Sequence, residues 1–517
     1  MMGGIRLAGV VVGILILIFA AIVSGIDTKS IKTTLNNFDV LAEIDYVNGT
    51  SSLTGEYGTE VASVEVEDLD NDGTKEYITL SKDVTLGPFW VAAGGVNLRV
   101  WHQNGNNFTV VDEKTWDFNV SLGGFWGADV DVYQMDDTPN LELITVSKNN
   151  NPNKTGRDGY LRVWAWENSK LNLLSQVNWS DPYGGDVCVR GLAEGDIDGD
   201  GSIELCAVGN LTGHSSGSAA FLVIAEYSSG ALHIEKFQIW NGDGNGGATA
   251  TSVDVDDVNG DGEEEIVTGG ARVKLYPDNS YTQAGEIRVW KYDGTSLSLI
   301  TSVAWDSTIG NETGDTANRL ITDVKINNGE IFVTSNAEAG YKWGEITVWK
   351  LVNGNLQMIA SLNFLYNLNN IGMQSDMTIP VDLKFGDVDG NGEDEIVVVG
   401  GTGNSNVVEY FIAIFDYDST ITERTHEIWY DLIQQTSTGL SGIHLAESVA
   451  IDKNVSGKDR IVVVGVYVEA QHDSFPRSCK HGRIWLLEYN TSPTLEMHPL
   501  LIAIASLFLI FPKFKIR

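Results

Sequence analysis

Residues 385–401 read FGDVDGNGEDEIVVVGG, an acidic, glycine-containing loop followed directly by a run of apolar residues. Three other stretches share this spacing of acidic and glycine positions. The four loops begin at Asp68, Asp196, Asp257 and Asp387. The two long intervals between these starts are about twice the short one, which indicates that two further copies have diverged. The chain is therefore expected to be an array of repeats.

A second marker recurs in these repeats, a strand-like segment that follows the acidic loop and ends in tryptophan. Copies of this segment end at Trp101, Trp164, Trp290, Trp349 and Trp485. Together the two markers define a repeat of about 64 residues that is predicted to contain four β-strands. Three copies of the loop are degenerate, and they lie near Asp136, Lys325 and Asp452.

Seven loop positions predict an all-β fold, a seven-bladed β-propeller of four-stranded antiparallel blades over residues 38–490. The seventh copy ends after its third strand, near Tyr489, whereas residues 40–46 look like an unpaired fourth strand. We therefore expect this N-terminal strand to complete the last blade and close the ring, leaving no open sheet edge. The recurring tryptophans are expected to pack between blades.

The composition restricts the partners and the covalent framework. The chain has 517 residues and a formal net charge of −37, which disfavours nucleic acid and favours divalent cations. Three cysteines, Cys188, Cys206 and Cys479, are too few for a disulfide framework. A Cys188–Cys206 bridge and free buried thiols are both compatible with the sequence.

Both ends of the chain are hydrophobic. Residues 1–25 are predicted to be a signal peptide or an N-terminal anchor, and residues 498–517 a C-terminal hydrophobic anchor or sorting tail. Basic residues flank the outer side of each segment, so we expect the intervening chain to lie outside the cell, secreted or membrane-anchored. Asn-X-Ser/Thr sequons fit a glycoprotein there, and they begin at Asn48, Asn107, Asn119, Asn153, Asn178, Asn210, Asn311, Asn454 and Asn490.

The acidic loops match the chemistry of calcium. Ca²⁺ takes six to eight oxygen ligands. Counted from the first aspartate of each loop as position 1, the loops offer acidic or amide side chains at positions 1, 3, 5 and 9 and a backbone carbonyl at position 7. We predict four Ca²⁺ sites with these residues: Asp68, Asp70, Asp72, Thr74 and Glu76; Asp196, Asp198, Asp200, Ser202 and Glu204; Asp257, Asn259, Asp261, Glu263 and Glu265; and Asp387, Asp389, Asn391, Glu393 and Glu395. The alternative is a plain Asp/Gly turn that binds no metal. The three degenerate copies are expected to bind metal weakly or not at all.

The repeats resemble the FG-GAP (VCBS-type) repeats of the integrin α-subunit-like β-propeller family, most clearly at Phe385-Gly386-Asp387 and the residues that follow. The resemblance implies that each loop joins the first two strands of a blade and holds Ca²⁺ on one face of the ring. The Gly-Ala-Pro element of that family is absent, and Gly-Gly or Gly-Asn stands in its place.

Function follows less directly from these patterns. We expect an extracellular surface protein for adhesion, binding glycan or protein ligands through the face opposite the calcium loops, where aromatic residues would contact the ligand. These residues are Phe89, Trp90, Phe125, Trp126, Tyr183, Tyr281, Tyr341, Trp343 and Phe475. No Gly-X-Ser-X-Gly or His-Glu-X-X-His motif occurs, so the sequence predicts that the protein is not an enzyme. The alternatives are a polysaccharide-degrading enzyme, since some polysaccharide lyases resemble this architecture, and a structural component of a surface layer.

Overall fold

The computed structural model describes residues 35, 37–46, 57–86, 92–116, 126–135, 138–150, 156–215, 217–276, 281–306, 318–339, 341–367, 375–404, 407–429, 434–436, 439–453, 457–470 and 478–490. The hydrophobic segments at 1–25 and 498–517 lie outside these residues. Within the described part of the chain, no helix is long and apolar enough to cross a membrane.

The described chain is all-β, apart from one short 3₁₀ turn, and its strands form successive four-stranded antiparallel meanders. The chain begins with β1 (Phe38–Tyr46). The first meander comprises β2 (Tyr57–Glu67), β3 (Glu76–Leu86), β4 (Ala92–Asn104) and β5 (Asn107–Trp116). The second comprises β6 (Trp126–Tyr133), β7 (Glu142–Asn150), β8 (Arg157–Trp166) and β9 (Leu171–Trp179). The third comprises β10 (Val187–Gly195), β11 (Ile203–Leu211), β12 (Ala219–Ser228) and β13 (Ala231–Trp240).

The remaining meanders repeat this plan after the 3₁₀ turn (Asp243–Asn245). The fourth comprises β14 (Ala248–Asp256), β15 (Glu265–Leu275), β16 (Tyr281–Tyr292) and β17 (Leu297–Trp305). The fifth comprises β18 (Asn318–Asn327), β19 (Glu330–Ala339), β20 (Tyr341–Val352) and β21 (Asn355–Phe364). The sixth comprises β22 (Met377–Gly386), β23 (Glu395–Gly403), β24 (Val407–Tyr417) and β25 (Ile421–Trp429). After the short β26 (Gln434–Thr436), the seventh comprises β27 (Gly439–Asp452), β28 (Arg460–Ala470) and β29 (Ser478–Tyr489).

Strand β1 supplies the fourth strand of the seventh meander. It pairs antiparallel with β29, from Phe38 opposite Tyr489 to Tyr46 opposite Gly482. The Phe38 ring lies 5.5 Å from the Tyr489 ring, and both side chains are buried. The N-terminal strand therefore covers the hydrogen-bonding edge that β29 would otherwise expose.

The hydrophobic core is divided among the interfaces between meanders. Each of the seven core clusters joins two successive meanders, and one of them joins the seventh meander to the first. Tryptophans pack at these interfaces, as expected from the sequence. Trp240 lies 5.3 Å from Trp290, and Trp305 lies 4.8 Å from Trp349, measured between ring centroids. Both faces of the sheets are thus buried, which explains the continuous apolar strands.

The prediction of seven separate blades holds only in part. The second, third and fourth meanders form four-stranded sheets of their own, but the other strands belong to one 17-stranded sheet. Short parallel pairs make this connection between the start of a third strand and the first strand of the next meander. They lie between β29 and β2, between β20 and β22, and between β24 and β27. At these places the first residues of the third strand lie beside the first strand of the next meander, so main-chain hydrogen bonds cross between the two meanders.

The strand register also decides the cysteine question. Cys188 lies opposite Asn210, and Cys206 lies opposite Ala193, so the two thiols are at different heights along β10 and β11. Both are free. The Cys188–Cys206 bridge is therefore not formed, and the side chain of Cys479 lies outside the described set.

Candidate functional site

The first acidic loop (residues 68–76) joins β2 to β3 and is organised by its own carboxylates. Asp68 accepts hydrogen bonds from the backbone amides of Asp72 and Gly73, at 3.0 and 2.9 Å. Glu76 Oε2 accepts the amide of Leu69 at 2.9 Å. Gly73 has φ +87°, a conformation that a side chain would disfavour. These contacts turn the chain so that the carboxylates converge.

The second, third and fourth acidic loops (residues 196–204, 257–265 and 387–395) repeat this arrangement. In each loop the carboxylate at position 9 accepts the backbone amide of position 2, in the pairs Glu204–Ile197, Glu265–Val258 and Glu395–Val388. The aspartate at position 1 accepts the glycine amide of position 6, in the pairs Asp196–Gly201, Asp257–Gly262 and Asp387–Gly392. The degenerate second copy keeps one of these contacts, since Glu142 accepts the amide of Met135 at 2.9 Å. The loops therefore repeat in their hydrogen bonds as well as in their sequence.

Three of the four acidic loops could hold a metal ion. The carboxylates at positions 1, 3 and 9 offer oxygen atoms within 4.8 Å of one another, in the sets Asp68, Asp70 and Glu76; Asp196, Asp198 and Glu204; and Asp387, Asp389 and Glu395. The side chain at position 5 helps to order all four loops. Its side-chain oxygen accepts the backbone amide of position 7, in the pairs Asp72–Thr74, Asp200–Ser202, Asp261–Glu263 and Asn391–Glu393.

The electrostatics of these loops favour a bound cation. Burial raises the pKa of Glu204 to about 8, and the Asp198 carboxylate adds to the effect. Burial likewise raises the pKa of Glu395 to about 7, with Asp389 contributing in the same direction. Asp70 Oδ1 is buried without a hydrogen-bond partner among the described residues. A hard cation with oxygen ligands would satisfy this oxygen and relieve the repulsion between carboxylates.

The third acidic loop departs from the prediction of four equivalent sites. Lys291 of β16 lies on its carboxylates, with Nζ 3.6 Å from Asp261 and 3.8 Å from Glu265. The Asn259 amide donates to the same two carboxylates, at 3.0 and 2.7 Å. The predicted ligands Asp261 and Glu265 are thus engaged by nitrogen donors. The fourth loop has a related contact, since Arg424 lies on Asp389 and Glu395.

A second feature, missed by the sequence reasoning, is a cavity of about 280 Å³ lined by the first strands of all seven meanders. Each of these strands contains a register shift at an equivalent place, such as Val61/Ser63 in β2 and Ile321/Asp323 in β18. Such β-bulges re-aim side chains. In five of the first strands, a recurrent three-residue pattern begins at the bulge: a polar residue, an apolar residue and a charged residue. It is present at residues 63–65, 129–131, 252–254, 323–325 and 382–384. This pattern is the feature of the sequence from which the cavity could have been predicted.

Aspartates at the bulges link neighbouring first strands around the cavity. Asp129 accepts the Ser63 hydroxyl at 2.7 Å and the backbone amide of Leu192 at 3.1 Å. Asp323 repeats this bridge between the Ser252 hydroxyl, at 2.7 Å, and the amide of Leu383, at 3.1 Å. Each aspartate therefore connects three consecutive meanders.

The cavity also concentrates groups that titrate near neutral pH. Burial raises the pKa of Glu65 to about 7 although Lys384 opposes it, with the Lys384 ammonium 2.7 Å from Glu65 Oε1. Burial raises the pKa of Asp129 to about 6 and that of Asp323 to about 7. Burial raises the Asp254 pKa as well, and neighbouring carboxylates raise the pKa of Lys325. Such groups are candidates for proton transfer.

The predicted aromatic face is described only in part. Tyr281 and Tyr183 are strongly exposed, at 75% and 50% of their surface. The Tyr183 ring meets the His214 ring edge-on at 4.8 Å. Trp343 is half-buried. The side chains of the other predicted aromatic residues lie outside the described set.

Comparison with known proteins finds solved structures of distant similarity but no sequence family. No family model and no curated protein match the chain. Rhamnogalacturonan lyase YesW is similar at 15% identity and a TM-score of 0.40, over 90% of this chain and 75% of that one. The exotype rhamnogalacturonan lyase YesX is similar at 14% identity and 0.39, over 86% and 75%. The α-L-arabinofuranosidase Arb93A from Fusarium graminearum, in complex with an iminosugar inhibitor, is similar at 10% identity and 0.39, over 87% and 98%.

These comparisons correct one expectation from the sequence. All three of these structures are enzymes that act on glycans. The prediction that the protein is not an enzyme is contradicted by this finding and is withdrawn. The missing Gly-X-Ser-X-Gly and His-Glu-X-X-His motifs were a poor guide because they exclude only two kinds of catalytic site.

Proposed function

We propose that the protein is a calcium-binding enzyme of the cell exterior that acts on glycans in its central cavity. In this proposal the meanders are the blades of a closed seven-bladed β-propeller of the FG-GAP type. The core cluster between the seventh and first meanders supports ring closure, as does the pairing of β1 with β29. The hydrophobic segments at 1–25 and 498–517 would export the protein and tether it to the membrane.

Calcium would have a structural role in this protein. Three acidic loops combine converging carboxylates with raised pKa values at position 9, and Asp70 Oδ1 lacks a partner among the described groups. Oxygen-only donor sets of this kind suit Ca²⁺. The ion would fix the loop between the first two strands of a meander. The proposed number of ions is three, one for each loop whose carboxylates at positions 1, 3 and 9 converge.

The observation that carries the glycan-processing proposal is the group of carboxyl groups with near-neutral pKa values in one cavity. Cleavage of a glycosidic bond needs an acid that is still protonated near neutral pH and a second carboxylate that is ionised. Glu65 and Asp323 have pKa values of about 7, and Asp129 has one of about 6. A volume of about 280 Å³ suits a sugar ring rather than a long chain.

The direct test is an activity screen of the folded protein on polysaccharides. New reducing ends would report hydrolysis, and ultraviolet absorbance of unsaturated products would report β-elimination. We expect Glu65→Gln and Asp323→Asn to lower kcat at least a hundredfold. Glu113→Gln, at a carboxylate 50% exposed on β5, should leave the rate unchanged. The proposal fails if the folded protein cleaves no glycan, or if the cavity variants match the control.

A second candidate function is adhesion to a glycan or protein ligand through the exposed aromatic residues. The exposure of Tyr281 and Tyr183 favours it, since exposed tyrosines contribute large contact areas at binding surfaces. Tyr281→Ala should weaken ligand binding by tenfold or more without changing the melting temperature. Binding that survives this change together with Tyr183→Ala would exclude the aromatic surface.

A further inference from the structure

A lysine side chain faces the third acidic loop. Lys291 follows Trp290, which pairs with Ile266, so Lys291 stands beside Glu265 at position 9 of the loop. Its ammonium group lies 3.6 Å from Asp261 Oδ2 and 3.8 Å from Glu265 Oε1, and it also contacts Glu263. One lysine therefore reaches the carboxylates at positions 5, 7 and 9.

The loop is adapted to this lysine in its own residues. Position 3 is Asn259, whereas the other three loops carry aspartate there. The Asn259 amide donates to the Asp261 and Glu265 carboxylates. The carboxylates at positions 5 and 9 thus receive N–H donors from two sides, and the loop holds one negative charge fewer at position 3. A cation entering the loop would have to displace both donors.

The same register position carries different side chains in other meanders. In the first meander it is His102, whose Nε2 lies 2.8 Å from Glu76 Oε1. In the third meander Glu226 lies opposite Glu204, so the strand beside the second acidic loop adds negative charge. In the fifth meander Lys350 lies opposite Glu330, with Nζ 3.2 Å from Oε1, but residues 327–330 there read NNGE and offer no acidic cluster.

In the sixth meander the Arg424 guanidinium contacts Asp389 and Glu395 of the fourth acidic loop, so a basic side chain beside the acidic set is not confined to the third loop. What distinguishes the third loop is a lysine that reaches three of its carboxylates, together with Asn259 at position 3.

We propose that the Lys291 ammonium group neutralises the carboxylates of the third acidic loop, so that this loop carries a tethered counter-charge in place of a metal ion. The inference rests on the proposed calcium binding by the other loops. A tethered ammonium has a high effective concentration at its site, because its binding is intramolecular. The third hairpin would then stay ordered at calcium concentrations that empty the other loops.

The test is the number of calcium ions bound by the full chain, measured by equilibrium dialysis and elemental analysis. Lys291→Met should bind one more ion per chain than the wild type. The matched control Lys350→Met removes a lysine from the same register position beside a loop without the acidic set, and it should bind the same number as the wild type. Lys291→Gln serves if the methionine variant folds poorly, as judged by circular dichroism.

Two results would overturn the inference. The first is a Lys291→Met or Lys291→Gln protein that folds and binds no additional calcium. The second is loss of one ion when Asp257→Ala is introduced into the wild type, because the third loop would then already hold metal. A wild type that binds no calcium at all would instead defeat the proposed calcium function, and the difference between Lys291→Met and wild type would still decide the inference.

Discussion

The glutamate at position 9 is the residue on which each acidic loop depends. Its carboxylate is buried at the start of the second strand, and it accepts the backbone amide of position 2 in all four loops. One oxygen atom is thereby used to hold the loop. The other lies beside a basic side chain in three of the loops, His102 for Glu76, Lys291 for Glu265 and Arg424 for Glu395. Burial of a charge among like charges raises the pKa, most strongly in Glu204. The residue therefore lowers stability in the absence of a cation and stabilises the loop in its presence.

Glu204→Gln should separate these two effects. Without calcium and above about pH 8, where Glu204 is ionised, the variant should be as stable as the wild type or more stable, because a buried charge is removed. With calcium it should be less stable, because the second loop has lost a charged ligand, and its affinity should fall by about tenfold or 1.4 kcal/mol. Thermal unfolding with calcium and with chelator measures both. Equal calcium-dependent shifts in variant and wild type would contradict this role.

Stability should also depend on pH through Asp323. Its pKa is raised by burial from 3.8 to about 7 in the folded protein, so the folded state binds the proton more tightly than the unfolded chain. The contribution is full below about pH 4 and is lost as the pH rises to about 7. Asp323→Asn should reduce the fall in unfolding free energy between pH 4.5 and 8, by on the order of 2 kcal/mol. Parallel pH profiles would show that Asp323 titrates normally.

At the scale of the element, the recurring device is the β-bulge in each first strand. A bulge places two residues opposite one and bends the strand, so that a polar side chain can cross to the neighbouring meander. Asp129 and Asp323 use this position to bind a serine hydroxyl on one side and a backbone amide on the other. The same bulges that connect the meanders also shape the cavity, so fold and site have a common origin.

Asp129→Ala should therefore destabilise the fold as well as change the cavity. The Ser63 hydroxyl and the Leu192 amide would both lose their acceptor, at a cost of about 1–3 kcal/mol for each buried group. Urea unfolding should show a lower midpoint with an unchanged slope. Asp293→Ala, in the exposed turn after β16, is the control and should cost much less because only turn contacts are lost. Similar costs for the two variants would contradict the bridging role.

At the scale of the whole molecule, the cyclic order of core clusters predicts that the meanders unfold together. The interface between the seventh and first meanders depends on β1, which comes from the other end of the chain. Phe38→Ala removes a side chain of β1 that is 2% exposed and packs on Tyr489 in the core between the sixth and seventh meanders, so it should loosen the attachment of β1 on which ring closure depends. Such a truncation costs about 3–5 kcal/mol, and it should lower the midpoint of a single cooperative transition. Unfolding in two separate steps would contradict a closed ring.

The sequence predicted the features that depend on local spacing. Positions 1 to 9 of the acidic loops lie close together along the chain, so their convergence could be predicted from composition and order alone. The role of β1 could also be inferred. The last repeat lacks a fourth strand, and residues 40–46 look like a fourth strand that is not preceded by the first three strands of a repeat.

The remaining features depend on register between distant residues. Lys291 reaches the third loop because β16 pairs with β15 in one particular alignment, which the spacing of the loop does not reveal. The cavity gathers Glu65, Asp129, Asp323 and Lys384 from four different repeats, and each looks like an ordinary polar residue in its own strand. The charged residues that recur in the first strands are the feature of the sequence that indicates such a cavity.

The most direct test of the account is calcium binding by the chain together with its effect on unfolding. Ions bound per chain should be counted, and thermal unfolding recorded with excess calcium and with chelator. We expect about three ions and a higher melting temperature with calcium, since ligands that bind only the native state stabilise it by mass action. The combined variant with Asp68→Ala, Asp196→Ala and Asp387→Ala should lose both effects. A folded wild type with no bound ion and no shift would show that the acidic loops are plain turns, and the central claim would be wrong.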